Sequence, residues 1–396
     1  MLTNKGKSLR KSFYFVLLGI YFIAQCSQAQ KYPPGVIVDH ISADQEVYLG
    51  SPSIVIMKDG SYLASYQPFS KKLEENGKGK ETIIVLSKDH GQTWNQIATV
   101  APLTWANLFI LDEKLYILGT AGHYGDLVIR RSDDGGFNWT HPVDDNNGLL
   151  RKDEEYHTAP VPILIHNGRI FRAMEDRNPP EGWGINFRAF VISAPINSDL
   201  LKASNWKTSN RLRYDKSWPG NAWLEGNVVI SPKGDVWNIL RNDFRPEGGR
   251  ACIVKVSNNG EIVSFNPDNG FIEFPGGCKK FSIRYDEISK RYWALSNYIP
   301  EKFKGYNPER TRNTLALISS SDLMQWKVNK IIMQHPDVMH SGFQYADWQF
   351  EGNDLITLVR TAFPEADGTK AHNCHDANFI TFYRVTNFRN YAENEL

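Results

Sequence analysis

Cysteine is scarce in this chain of 396 residues: four in all, Cys26, Cys252, Cys278 and Cys374. Nor does charge of either sign prevail. Forty-five Lys and Arg against 44 Asp and Glu leave a net charge of +1, which gives no overall pull toward nucleic acid or an anionic membrane. Long apolar runs are also missing, apart from Phe13–Ala24. That run is short for a bilayer-spanning helix. It follows Lys5, Lys7, Arg10 and Lys11 and precedes Ser27-Gln28-Ala29, the order of a positive region, an apolar region and a small-residue cleavage site. The expectation is a signal peptide over 1–29 and one mature domain over 30–396, exported to the periplasm or the medium. A membrane anchor is the alternative reading. A lipid anchor on Cys26 is a lesser one, because Gln25 is not the small residue such processing prefers. With the leader removed, an odd number of cysteines remains, so at most one bridge can form within the chain. No later stretch is apolar enough for a transmembrane helix, and a monomer is expected.

Also absent is any amphipathic run long enough for a substantial helix. From Val47 onward, short apolar strands alternate with turns rich in Gly, Asn, Asp and Pro. Ser53–Met57 precedes Lys58-Asp59-Gly60, and Pro162–Ile165 precedes His166-Asn167-Gly168. Two turns share one signature, Ser87-x-Asp89-x-Gly91-x-x-Trp94 and Ser132-x-Asp134-x-Gly136-x-x-Trp139. The Asp side chain accepts backbone N–H groups inside the turn, Gly supplies positive φ, and Trp tucks beneath. This is the Asp-box of β-propeller blades. Ser198-Asp199-Leu200 ending at Trp206, and Ser321-Asp322-Leu323 ending at Trp326, read as degenerate copies. The expected fold is all-β, a single-domain propeller of about seven blades, with six blades plus elaborations as the alternative. Most of the 11 Trp, 17 Tyr and 21 Phe suit packing between blades, although the same content suits sugar-stacking surfaces.

Asp-box propellers of this size resemble the sialidase superfamily over nearly the whole mature chain, but the sialidase chemistry does not transfer. Where a Tyr-Arg-Ile-Pro motif would supply the first arginine of a carboxylate clamp, this chain has Tyr48-Leu49-Gly50-Ser51-Pro52-Ser53-Ile54. Where Glu-Gly-Arg and an acidic Asp would follow, it has Tyr66-Gln67-Pro68-Phe69. A bidentate clamp needs its guanidinium groups.

Two other stretches look like the propellers that eliminate at uronic acids, the ulvan lyases and related oligosaccharide dehydratases. They are Tyr156-His157-Thr158-Ala159-Pro160-Val161-Pro162 leading to Arg169-Ile170-Phe171-Arg172, and Gly122-His123-Tyr124-Gly125 before Ile129-Arg130-Arg131-Ser132. The resemblance implies a His and a Tyr as base and acid, and an Arg that neutralises the uronate carboxylate. Elimination removes the C5 proton and expels the group on C4, so charge growing on the carboxylate must be stabilised. A base titrating near neutrality suits the proton, which favours His. The expected catalytic residues are therefore His123, His157, Tyr156 and Arg172, with Tyr156 and Arg172 facing each other across one hairpin. The plain alternative makes each His a satisfied loop residue and pairs Arg172 with Glu175 or Asp176.

Tyr124, Arg188, Glu225, Arg241, Tyr345, Arg360 and His372 are expected to bind substrate, an anionic oligosaccharide. Lys279 and Lys280 read as solvated charges near the mouth. Cys278, Cys374 and His375 form a weak metal set, for a structural zinc or calcium, and the chemistry itself requires no cofactor. Two other functions fit the scaffold. An exo-glycosidase would draw on Glu175, Asp176 and Glu225. A non-catalytic glycan-binding propeller would need none of them.

Overall fold

The computed structural model describes residues 31–245 and 248–396; the expected leader lies outside them. Six antiparallel sheets follow one another along the chain. Blade 1 comprises Tyr48–Ile56, Tyr62–Phe69, Thr82–Ser87 and Asn95–Val100, and blade 2 Thr104–Leu111, Lys114–Thr120, Leu127–Ser132 and Leu149–Arg151. In blade 3 the first strand is broken into Glu155–His157 and Leu164–His166, both paired to Arg169–Arg177. Phe187–Pro195 follows, edged by two short strands. Blade 4 begins with Trp223–Ile230, Val236–Asn242 and Arg250–Val256. Blade 5 runs Ser282–Asp286, Arg291–Ser296, Thr314–Ser320 and Lys327–Gln334. Blade 6 has Gly342–Glu351, Asp354–Ala362 and Phe379–Val385, and its fourth strand is Val36–His40 from the N-terminal end.

The count is six, the alternative rather than the leading expectation, because the blades carry long loops between their second and third strands. Phe379–Val385 lies in the blade that closes the ring: its Ile380 and Phe382 pack against Leu49, Ile54 and Tyr62 of blade 1. Val36–His40 pairs with it as the outer strand, so one sheet joins strands from the first and last parts of the described chain. Six separate apolar cores fill the gaps between neighbouring blades. Alternation explains this, since successive residues of a strand face opposite neighbours. Val128 packs toward blade 1 with Leu63 and Ile84, whereas Ile129 packs toward blade 3 with Ile170 and Phe190.

The serine–aspartate turns link third and fourth strands. Asp89 accepts from Ser87, Gln92 and Thr93, and Trp94 Nε1 donates to the Gly91 carbonyl. Asp134 and Trp139 repeat the pattern. In the degenerate copy of blade 5 the serine is Ser320, which donates to Asp322. Among the described residues Cys252, Cys278 and Cys374 are buried free thiols, and no helix is long and apolar enough to cross a membrane.

Candidate functional site

The innermost strands of blades 1, 2, 4 and 6 each carry a bulge near their start, and at each bulge one non-glycine residue has positive φ: Ser51, Trp105, Glu225 and Tyr345. A bulge re-aims a side chain that the pleat would otherwise turn into a neighbouring blade. All four line one cavity of about 350 Å³ at the end of the propeller axis where these strands begin. Two residues further on, a short polar side chain ties each blade to the next. Ser53 accepts from the Leu108 N–H and donates to Asp347, Asp347 accepts from the Ile54 N–H, and Asn227 accepts from the Ile283 N–H. The loops between second and third strands rise around the same cavity and contribute His123, Trp183, Arg245, Glu309, Arg310 and His375.

One wall holds two histidines and Trp105. The His123 ring lies parallel to Trp105 at 4.7 Å, and His157 packs at 4.4 Å. His157 is buried, and its Nδ1 lies 2.8 Å from Glu175 Oε1, the residue across the ladder. With its Nδ1–H given to Glu175, the His157 Nε2 lone pair is left without a described protein partner. His123 differs. Its Nδ1 is 2.7 Å from Glu74 Oε1, on the short helix Lys71–Glu75. Its Nε2 is 3.1 Å from Gln67 Nε2, whose amide oxygen accepts from the Trp105 N–H. Both ring nitrogens of His123 are therefore occupied. Burial also pushes the His123 pKa down, against the pull of Glu74.

The opposite wall centres on Glu225. Burial alone would raise its pKa, but Arg241 outweighs burial and holds it below the usual value. Arg241 Nη1 donates to Glu225 Oε2 at 2.9 Å, and the Tyr345 hydroxyl donates to Oε1 at 3.0 Å. Burial and the Glu225 carboxylate raise the Tyr345 phenol, so it keeps its proton. Arg360, also buried, lies with its guanidinium 5.3 Å from the Tyr345 ring centroid. Its Nη2 is 3.2 Å from His375 Nδ1, which is itself 2.8 Å from Asp376 Oδ1. Burial and Arg360 lower the His375 pKa to about 3, so the ring is neutral. One nitrogen cannot donate to Asp376 and accept from Arg360 at once. Arg360 is left with Asp376 at 3.8 Å as its ion-pair partner, and burial draws its pKa down to about 10.

The cavity thus gathers His123, His157, Glu225, Arg241, Tyr345, Arg360 and His375. Other sequence candidates lie elsewhere. Tyr156 precedes His157 on a strand and must face the other way; it packs in the core between blades 2 and 3, and its hydroxyl donates to Asp153 at 2.5 Å. Arg172 pairs in register with Ile192 and lies beneath the cavity. It spends its donors on Asn107, Thr158 and the Ala159 carbonyl, so it braces two blades rather than neutralising a carboxylate, and it pairs with neither Glu175 nor Asp176. Arg188 turns outward to Asp176 and Glu154. Tyr124 flanks the wall, 5.5 Å from the Trp105 ring, under the Arg177 guanidinium. His372 is exposed and lies against the Tyr48 ring.

Lys279 and Lys280 are buried, not solvated: Lys279 donates to the Pro308 carbonyl, and Lys280 to Ser282 and the Ala346 carbonyl. Burial lowers the Lys280 pKa to about 8. The metal set is not assembled. Among the described residues no group of three His, Cys, Asp or Glu side chains is placed to hold an ion, and the Cys374 thiol donates to the Arg310 carbonyl instead.

Trp105, Glu74, Trp183 and Glu309 escaped sequence reasoning. A signal for Trp105 was present. Six segments repeat a variable residue, a spacer, a tying position and an apolar residue: Ser51–Ile54, Trp105–Leu108, Thr158–Val161, Glu225–Val228, Lys280–Ile283 and Tyr345–Trp348. The tying position is Ser, Asn or Asp in five of them and Pro160 in blade 3. The first residue lines the cavity in five of the six units; in blade 5 it is the buried Lys280.

No protein-family model matches this chain, and no curated protein does. Solved structures match over most of its length. The α-L-arabinanase of Penicillium chrysogenum is 16% identical with a TM-score of 0.54, covering 91% of this chain and 98% of that one. An α-L-arabinofuranosidase from Fusarium graminearum is 13% identical with a TM-score of 0.55, covering 90% and 98%. A Hadza microbial sialidase is 12% identical with a TM-score of 0.55, covering 88% and 67%. The fold these structures share with this chain is the β-propeller. At these identities the likeness speaks to the fold alone.

Proposed function

We propose that this protein is a carbohydrate-active enzyme that β-eliminates at a uronic acid of an anionic, ulvan-like oligosaccharide. The observation that carries the reading is the buried His157–Glu175 pair, which leaves one imidazole nitrogen free at the cavity wall. His157 Nε2 takes the C5 proton as C4=C5 forms. The C4–O bond breaks with its electron pair going to oxygen, and Tyr345, which holds its proton, supplies it to that oxygen. Arg360, short of a full counter-charge, and Arg241 face the carboxylate on which charge develops. If the departing oxygen belongs to the neighbouring sugar the enzyme is a lyase; if it leaves as water, a dehydratase. An exported enzyme fits a polysaccharide-derived substrate, as the N-terminal segment suggests.

Hydrolysis is the second reading, favoured by the 3.0 Å bond between Tyr345 and Glu225, since a carboxylate beside a phenol can activate it as a nucleophile. The arabinan-active and sialic-acid-active enzymes that share the fold also make it a natural alternative. Mass spectrometry with ultraviolet absorbance, on ulvan oligosaccharides incubated with the protein, separates the two. Elimination yields an absorbing product, shorter with no water added or intact and lighter by one water. Shorter, non-absorbing products that gain water overturn it.

A further inference from the structure

The loop between the second and third strands of blade 3 presents Trp183 at the cavity mouth, and nothing in the elimination scheme uses it. Its side chain stands 44% exposed, a large apolar surface left in water beside a polar site. The loop is built rather than loose. Asn178 N–H donates to the Asn186 carbonyl, Asn186 Nδ2 to the Glu181 carbonyl, and Phe187 N–H to the Gly184 carbonyl. Gly182 and Gly184 on either side of Trp183 both have positive φ, and a Cβ at Gly184 would come within 3.2 Å of Ala222. The inner part of the ring is anchored as well: Phe187 meets it edge-on at 6.2 Å, and the Arg241 guanidinium lies 5.3 Å from its centroid. An exposed indole held this firmly has already lost the freedom that binding would otherwise remove.

We propose that Trp183 is the stacking platform of a second sugar subsite, one that receives the ring attached to the uronate in the cavity. This rests on the proposed function and deepens it. A cavity of about 350 Å³ is near the small end of ligand sites, about 300–1,000 Å³, so a longer chain must continue outward through the mouth. At the mouth the aromatic face of Trp183 is what an apolar C–H face of a pyranose would meet. Arg245 and Arg310, also described at the mouth, are charged and already paired to Asp243 and Glu309. The platform therefore sets preferred chain length, while the cavity sets the chemistry.

The test is calorimetric titration of a free uronic acid and of ulvan oligosaccharides of two, four and six residues into the Tyr345→Phe protein, in which turnover is blocked under either chemistry, with and without Trp183→Ala or Trp183→Phe. Kinetics on the otherwise native protein run alongside. Stacking worth about 0.5–1.5 kcal/mol corresponds to a loss of roughly 2- to 12-fold. That loss is expected for the longer chains on Trp183→Ala, in Kd and in KM, with kcat unchanged and Trp183→Phe largely restored. The shortest ligand should bind equally to both. Equal loss at every length, or loss at none, overturns the subsite. Binding is read without product, so an intact length dependence with water-adding chemistry would discard elimination and keep the platform.

Discussion

Two histidines share a wall with Trp105, and what separates them is the fate of one nitrogen each. Gln67 fills His123 Nε2, whereas His157 Nε2 has no such partner among the described residues. Removing a well-placed general base costs about 10²- to 10⁴-fold in rate. His157→Ala should therefore lose turnover by that factor while keeping its circular dichroism spectrum, and His123→Ala should lose less than about 10-fold. The reverse order would move the base to His123. Tyr156→Phe removes the bonds to Asp153 and Arg211 at the back of blade 3 and should leave kcat within about 2-fold. Tyr345→Phe should abolish the reaction in either chemistry. Strand alternation by itself argues against a catalytic Tyr156, because adjacent strand residues point to opposite faces. With His157 at the axis, Tyr156 belongs to the gap between blades. The partners of Arg172 were not readable, since they come from residues remote in sequence, Asn107 above all.

The strand bulge is the element from which the site is made. It takes one residue out of the pleat at positive φ, which costs on the order of 1 kcal/mol for a non-glycine residue. That cost is met by the polar tie two residues later. Asp347 is the busiest of these ties: it accepts from Ser53, from the backbone of Ile54 and Trp348, and from Arg284. Loss of one member from a buried charged cluster costs about 3–5 kcal/mol. Asp347→Ala should lower the unfolding free energy read from urea denaturation by that much, and Asp347→Asn, which keeps an acceptor oxygen, by less. A loss under about 1 kcal/mol would mean that apolar packing alone holds blades 1 and 6 together. Here the sequence was more informative than motif reading suggested. The serine–aspartate turns mark the outer edges of blades and reveal the fold, yet they are remote from the cavity. The inner repeat marks each blade's contribution to the axis, but its variable first position hides it, because Ser, Trp, Thr, Glu, Lys and Tyr share no chemistry. Blade number was obscured for a related reason: chain spent on the loops that build the site looked like chain enough for another blade.

At the scale of the whole ring, stability is a property of closure, and its pH dependence follows from carboxylates paired to cations between the blades and in the loops that rise from them, and from partly buried histidines. Asp286, Asp337 and Glu309 are each held at a pKa of about 2, burial being outweighed by Arg389, by Lys370 and by Arg312 with Arg241, respectively. Their unfolded values are near 4, so the stability they confer is complete above that pH and is lost as pH falls from about 4 toward 2. His375 acts over a higher window. Its ordinary value near 6.5 falls to about 3 in the folded chain. Between those two values the unfolded chain binds a proton that the native chain refuses, so acid favours unfolding from about pH 6.5 downward. His123 and His335, both lowered by burial, act in the same sense. Urea midpoints should hence decline from about pH 7.5 to about pH 5 in the native protein, before the carboxylates begin to titrate. His375→Gln, which cannot titrate, should decline less over the same interval. Parallel declines would show that His375 takes up its proton in the folded ring. In that event it forms an ion pair with Asp376 beside Arg360, and the cavity would be more cationic than the neutral ring makes it.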